Sequence, residues 1–253
     1  MITDPAFVAD LRVRAAMEFL KADEIDKGLI EIEDLLDKQP NHTEAIFIAS
    51  QAYLLLGNSQ SALEALQVCV LQAPQEPEIH LGMAIAAFET SNFQLCLSAA
   101  EFAISLQTDC ALAWRYKGLS LERLEQPKKA EIAFLRAFEL EPDANPMPMV
   151  LDELQIEKSV LNAITELPLH IQDFYNSIER TIVLFPPVEL LEKVKPSLSP
   201  LINVYLDSEK NLLYIFSGNL KYLFHKDGSL KMRLKATLIE EAEMFHEDSL
   251  STE

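Results

Sequence analysis

The sequence predicts a mainly α-helical protein, in which a solenoid of helical hairpins with about four repeats precedes a small α+β domain. Three observations indicate this fold class. Apolar residues recur at helical spacing, in blocks of 34 residues, over the first 144 positions. The segment NPMPM at Asn145–Met149 then interrupts the pattern with two prolines. Beyond it, short runs such as Asn211–Phe216 are rich in aromatic and β-forming residues, which is typical of strands.

Composition and charge exclude several classes of function. Hydrophobic residues make up 49% of the 253 positions, so the chain is not of the disordered class. Its net charge of −19 repels phosphate backbones and anionic lipids, so we expect neither a nucleic-acid partner nor a membrane partner. Apolar runs are shorter than the roughly 18 residues that span a bilayer, and the first residues lack the pattern of a secretory signal. A cytoplasmic location is therefore expected.

The helical blocks cover residues 9–42, 43–76, 77–110 and 111–144. The fourth block places large, small and helix-ending residues in a fixed order at Trp114, Gly118, Leu121, Ala130, Phe134, Ala137 and Pro142. The second block has the same order at Ile46, Tyr53, Gly57, Ala62, Leu66, Cys69 and Pro74. Small residues let two helices approach closely, and the proline ends the second helix of the pair. These two blocks resemble the tetratricopeptide repeat, while the third and first blocks match it less well.

The resemblance implies a binding scaffold whose concave face is formed by the first helix of each repeat. The family's groove positions fall here on a mostly apolar set: Val13, Met17, Phe47, Gln51, Leu54, Leu81, Ile85, Phe88, Arg115, Leu119 and Glu122. Family members that hold acidic tails of chaperones have lysine, arginine and asparagine at these positions, and this groove lacks that set. We therefore expect a protein or peptide partner that presents an amphipathic helix or an extended apolar segment. The alternative is that this protein's own C-terminal segment, or a second copy of the chain, fills the groove.

The last hundred residues predict a different architecture. A helix over Val150–Leu167 is expected to cap the solenoid and lead onward. Strands are expected at Thr181–Phe185, Leu201–Leu206 and Asn211–Phe216, followed by a helix at Ser229–Phe245. The predicted domains are the solenoid at 1–144, a capping or linking helix at 145–167, a small α+β domain at 168–246 and an acidic tail at 247–253.

Five segments of this region resemble, in their order, the bacterial minimal metalloproteases of the zincin-like class. They are LP at Leu167–Pro168, a strand ending in PP at Pro186–Pro187, VYLD at Val204–Asp207, LYIFSGNL at Leu213–Leu220 and TLIEEAEMF at Thr237–Phe245. In active relatives the last segment contains HExxH, in which two histidines hold zinc and the glutamate activates water. The resemblance implies a zincin-like fold for the C-terminal domain.

The metal ligands that this resemblance implies are missing from the chain. Glu240 and Met244 occupy the two histidine positions, and Leu250 falls near the position of the third ligand. A carboxylate and a thioether do not replace two imidazoles for zinc. Glu241 keeps the position of the general base, but without a metal it is expected to be a surface acid. We therefore expect no catalytic residue, no metal and no cofactor, with a substitute metal set at Glu240, Glu243 and His246 as the alternative.

The sequence thus favours a scaffold or adaptor for protein–protein interaction, with a zincin-like domain that does not cleave. Two other functions stay open. One is a metal-dependent peptidase with an unusual ligand set, and the other is an assembly or secretion chaperone, a class in which acidic helical-repeat proteins are common. Fold resemblance does not choose among them, because one fold hosts many functions.

Overall fold

The computed structural model describes residues 5–148, 152–194, 198–221 and 229–251. The chain divides into two compact units, Met1–Asn145 and Pro146–Glu253. The first unit is entirely helical over its described part, and the second combines helices with a small sheet. Within the described residues, no helix has the length and apolar character needed to cross a membrane.

The first unit consists of four consecutive pairs of antiparallel helices. The first helix of each pair is one of α1 (Pro5–Lys21), α3 (Thr43–Leu55), α5 (Pro77–Glu89) and α7 (Ala111–Arg123). The second helix is one of α2 (Ile25–Leu36), α4 (Ser59–Gln72), α6 (Phe93–Leu106) and α8 (Pro127–Leu140). Helices α3, α5 and α7 begin at residues 43, 77 and 111, so the 34-residue period of the sequence is also the period of the structure.

The turn inside each pair has the same backbone conformation in all four repeats. One residue has a positive φ of 58–73°, at the equivalent positions Asp23, Gly57, Ser91 and Glu125. The N–H of the next residue closes the turn on a carbonyl five residues earlier at 2.8–2.9 Å, in the pairs Glu24–Phe19, Asn58–Tyr53, Asn92–Ala87 and Gln126–Leu121. Asparagine side chains cap the second helix where they occur, at Asn58 and Asn92. The turn is therefore built by the backbone, and only one repeat uses glycine for it.

Small residues bring the two helices of a pair into close contact. A methyl group at Gly118 in α7 would lie 2.6 Å from the nearest ring carbon of Phe134 in α8, so only glycine admits this ring. Ala62 and Ala130 are buried at the equivalent positions of two second helices. This contact is the crossing that the sequence pattern predicts.

The third repeat compensates for its unusual residues. His80 stands where the pattern has a larger residue, and its buried ring packs against Phe102 with 4.4 Å between the ring centroids. His80 Nε2 lies 2.8 Å from the carbonyl oxygen of Pro74. Thr108 replaces the closing proline, and its carbonyl oxygen accepts a hydrogen bond of 3.0 Å from the indole of Trp114. The repeat therefore folds like the others.

Over its described residues the second unit contains five helices and three strands, and most of these elements contribute to one apolar core. Its helices are α9 (Glu153–Ile164), α10 (Leu169–Asn176), α11 (Val188–Lys193), α12 (Ser217–Leu220) and α13 (Ser229–Ser251). Its strands are β1 (Glu179–Val183), β2 (Val204–Asp207) and β3 (Leu212–Phe216). The sheet order is β1-β3-β2, with β1 parallel and β2 antiparallel to β3. A small α+β architecture, as the sequence predicts, is thus present.

Two boundaries differ from the sequence-based expectation. Helix α9 lies in the segment predicted to cap the solenoid, yet Ile156, Val160 and Ile164 belong to the core of the second unit, together with Val204 and Leu213. Helix α13 continues to Ser251, so residues 247–251 are helical where a tail was expected. The sequence shows the apolar face of α9 but not which neighbour that face packs against, and this accounts for the first difference.

We predict that Gly57→Ala lowers the free energy of unfolding by about 1 kcal/mol, because a Cβ is strained at a positive φ. No atom lies within 4 Å of the position a Cβ would take, so the cost comes from the backbone alone. Urea unfolding followed by circular dichroism measures the change. The matched control is Ser91→Ala at the equivalent turn, where a Cβ is already present and the change should be near zero. Equal effects at both positions would contradict the prediction.

Candidate functional site

The first helices of the repeats form one continuous face of the solenoid. Helix α1 contacts α3, α3 contacts α5, and α5 contacts α7, in addition to the contacts that each makes with its own partner helix. A row of neighbouring first helices is the arrangement that lines the concave face in solenoids built from helix pairs. We call this row the groove face, defined by α1, α3, α5 and α7.

The eleven residues predicted for the groove fall into two classes. Three are buried between helices and present no surface: Val13, Phe88 and Leu119, each at most 1% exposed. The other eight are half-buried or exposed: Met17, Phe47, Gln51, Leu54, Leu81, Ile85, Arg115 and Glu122. These eight expose part of their surface and most of them are apolar, although Met17, Phe47 and Leu81 also pack against the core.

Phe88 organises the packing beneath the groove face. Its ring lies 5.4 Å from that of Phe93 and 5.7 Å, edge on, from that of Tyr116. The guanidinium carbon of Arg123 lies 5.6 Å from the ring centroid of Phe88. Burial lowers the pKa of Arg123 to about 10 and raises the pKa of Tyr116, with Glu89 contributing to the latter. Phe88 is therefore part of the core, where a charged substitution would disrupt the fold.

Arg115 is the basic residue of the predicted groove. Its side chain is half-buried, and burial lowers the pKa of its guanidinium. In the described ranges it forms no ion pair and no hydrogen bond, although the chain as a whole is strongly acidic. Partial burial weakens the hydration of this guanidinium, and a carboxylate beside it would form a charge-assisted hydrogen bond.

In the second unit, Glu241 differs from the expectation of a surface acid. Only 8% of it is exposed, and its Oε2 accepts a hydrogen bond of 3.0 Å from the backbone N–H of Leu206 in β2. Burial raises the pKa of Glu241, while the Leu206 hydrogen bond lowers it and Glu240 raises it. The prediction of a surface acid is wrong, because the helix directs Glu241 toward the strand. Its carboxylate holds α13 against the sheet.

The neighbouring residues of α13 divide between core and surface. The hydroxyl of Tyr175 in α10 donates a 2.6 Å hydrogen bond to the carbonyl of Leu238, three residues before Glu241. Glu240 and Met244, for which the sequence resemblance implied the positions of two histidines, are exposed, and Met244 is 53% exposed. The helix thus exposes Glu240 and Met244 and buries Glu241.

The structure offers no metal site within its described residues. No group of three or more histidine, cysteine, aspartate or glutamate side chains converges there. Glu240 and Glu243 of the substitute set are exposed, whereas the side chain of His246 lies outside the described residues. Cys69 and Cys96 are buried free thiols whose pKa values burial raises to about 11 and about 12. Those two thiols are therefore poor metal ligands and poor nucleophiles.

With this geometry, the first unit is a tetratricopeptide-type solenoid. Residues 81–145 match the tetratricopeptide repeat family. Among solved structures, MamA is similar, with 20% identity over 54% of this chain and 74% of that chain and a TM-score of 0.50. At this identity the likeness shows the fold alone.

Two further solved structures resemble the chain over about the same span. MamA from Desulfovibrio magneticus has 19% identity over 55% of this chain and 76% of that chain, with a TM-score of 0.49. A thermophilic TPR protein of Thermus thermophilus has 21% identity over 53% of this chain and 75% of that chain, with a TM-score of 0.47. No curated protein matches the sequence.

We predict that Glu241→Gln is more stable than the wild-type chain at pH 7, and that the difference vanishes below about pH 4.5, the ordinary pKa of the side chain. The raised pKa means that the folded chain binds more protons than the unfolded chain between the two pKa values. The free energy of unfolding of the wild type therefore falls as the pH rises through that window. Glutamine keeps an oxygen for the N–H of Leu206 and carries no charge.

Urea denaturation of both chains from pH 4 to pH 8 measures this difference. The control is Glu243→Gln, an exposed change on the same helix, which should follow the wild-type pH profile. Parallel profiles for the wild type and Glu241→Gln would contradict the prediction.

Proposed function

We propose that this chain is a scaffold for protein–protein interaction and that the groove face of the solenoid holds a segment of a partner protein. The observation that carries the proposal is the half-exposed apolar row along the first helices, including Phe47, Leu54, Leu81 and Ile85, with Arg115 next along it. Surface apolar rows of this kind are typical of grooves that accept an amphipathic helix or an extended apolar segment.

The charge of the groove face further limits which partner segments would fit it. Arg115 has no acidic partner within the described part of the chain, so an acidic side chain of the bound segment is the complement that it lacks. We therefore propose an apolar segment that carries one acidic residue. Self-association through this face and docking of a segment of the same chain are the competing occupants.

We predict that the double variant Leu54→Glu/Ile85→Glu reduces partner capture at least tenfold, because two carboxylates would have to be buried against an apolar segment. Quantitative pull-down followed by mass spectrometry measures the reduction. The matched control is Leu71→Glu/Ile132→Glu, which places the same charges on second helices, where the original side chains are 85% and 66% exposed. Unfolding midpoints of both variants verify the fold.

Retention of every partner by the groove variant would overturn the groove as the binding surface. Equal loss from both variants would overturn it as well, because the effect would then come from net charge. If the wild type is a dimer and the groove variant a monomer in gel filtration, the occupant is a second copy of the chain.

We further propose that the second unit is a zincin-like domain that does not cleave peptides. The support is the position of Glu241, which is hydrogen-bonded to the backbone of β2 instead of facing solvent. The exposed residues Glu240 and Met244 also support the proposal, because the resemblance places the two zinc-binding histidines of active relatives at these positions. A peptidase of this class needs its glutamate beside a metal-bound water, and a buried glutamate already bonded to a strand does not supply that base.

We predict that the purified, untagged chain retains no zinc or manganese after dialysis against traces of both metals, because its described residues provide no converging ligand set. Mass spectrometry of the metal content measures this. The control is a reference zinc peptidase that is dialysed in parallel and should retain about one zinc per chain. One tightly held metal per chain in this protein would overturn the non-catalytic proposal and favour the peptidase with an unusual ligand set.

A further inference from the structure

The two outer edges of the sheet differ in how their main-chain groups are used. On β2, the N–H of Leu206 points away from β3 and donates to the carboxylate of Glu241 in α13. This outward N–H is therefore already paired. On β1, the sheet order β1-β3-β2 leaves the other side of the strand without a neighbouring strand in the described part of the chain. An open strand edge presents unpaired N–H and C=O groups that can bind another extended chain.

The register identifies which groups of β1 point outward. The five residues of β1 pair in parallel with Leu212–Phe216. The carbonyl oxygen of Val183 accepts a hydrogen bond from the hydroxyl of Ser217, the residue that follows β3, so the main chain of Val183 faces β3. Because main-chain direction alternates along a strand, Glu179 and Thr181 face β3 as well. The N–H and C=O groups of Arg180 and Ile182 therefore face outward.

A groove lies beside this open edge. A cavity of about 330 Å³ is bordered by β1 and by one side of α9. Its lining is mixed, with apolar residues of α9 and the sheet beside three polar side chains. The lining residues are Val160, Leu161, Ile182, Ile215, Glu157, Arg180 and Thr181. A strand edge flanked by a helix, with a cavity of mixed lining between them, is a geometry in which peptides add to a sheet as a further strand.

The charges around the groove favour a basic segment. Glu157 of α9 and Glu179 of β1 are both exposed, and neither forms an ion pair within the described residues. The guanidinium of Arg180, which also lines the cavity, donates to the carbonyl oxygen of Tyr175 and forms no ion pair with either carboxylate in the described ranges, so two negative charges and one positive charge lie here. The net charge of −19 adds a long-range attraction for a positively charged partner.

We propose that the outer edge of β1 binds an extended segment of a partner protein as a fourth strand, with an apolar side chain of that segment against Leu161 at the cavity and a lysine or arginine beside Glu157. This site is separate from the groove face of the solenoid and does not depend on it. Its recognition elements are the main chain of Arg180 and Ile182, the cavity against α9, and the carboxylates of Glu157 and Glu179.

The test uses the full chain and a display library of random octapeptides. Peptides selected on the immobilised chain are synthesised, and their affinities are measured for the wild type, Ile182→Pro and Ile182→Val. Proline removes the outward N–H without removing a donor to β3, and an edge strand tolerates it. Valine is the matched control, because it keeps both the N–H and a β-branched side chain. Unfolding midpoints show whether each variant is folded.

We expect alternating apolar and basic sequences among the selected peptides, and slower hydrogen exchange at the amides of Arg180 and Ile182 when such a peptide binds. Ile182→Pro should weaken binding about tenfold and Ile182→Val hardly at all, since a peptide carbonyl left without its donor costs about that factor. In the folded variant Glu157→Gln, the affinity for basic peptides should fall several-fold at low salt.

Three outcomes would overturn the proposal. The first is equal binding by Ile182→Pro and the wild type. The second is protection of amides elsewhere in the chain while those of Arg180 and Ile182 are unaffected. The third is a dimer in which these two amides are already protected without peptide, because the edge would then be occupied by a second copy of the chain. If Ile182→Pro does not fold, the exchange experiment on the wild type decides alone.

Discussion

The solenoid depends on one backbone constraint, a residue of positive φ that reverses the chain between the two helices of every pair. The constraint recurs at Asp23, Gly57, Ser91 and Glu125, and the same five-residue hydrogen bond closes each turn. With the turn fixed, the two helices must cross at a set distance, and small residues such as Gly118 make that distance accessible. Neither helix can bury its apolar stripe alone, so pairs stack and the first helices become neighbours. The groove face is a consequence of this stacking.

In the second unit a single buried carboxylate has a comparable role. Glu241 binds the N–H of Leu206 and thereby holds α13 against β2 while it occupies the outward edge of that strand. The same contact occupies an outward N–H of β2, whereas the outer edge of β1 has no neighbouring strand within the described residues. Burial raises the pKa of Glu241, a cost that the hydrogen bond offsets in part.

The proposed surfaces call for partners of different chemistry. On the groove face, Arg115 lies within a mostly apolar row and forms no ion pair with any described residue. An acidic residue of the partner would pair with its guanidinium. Beside β1, the carboxylates of Glu157 and Glu179 form no ion pair within the described part of the chain, and a basic residue of the partner would pair with them. Against a net charge of −19, the long-range field favours basic partners, so the specificity of the groove face must come from contact and not from steering.

The sequence by itself determined the helix pairs and their period, because helical spacing, small residues at crossings and prolines at helix ends are local signals. It also predicted the three strands to within about three residues. Tertiary structure decided which apolar faces meet: it assigned α9 to the second core, buried Val13, Phe88 and Leu119, and turned Glu241 inward. Local patterns indicate that a residue faces a neighbour, but the identity of that neighbour depends on contacts between positions far apart in the chain. The absence of an ion partner for Arg115 and of a strand beside β1, both within the described ranges, likewise depends on contacts between distant parts of the chain.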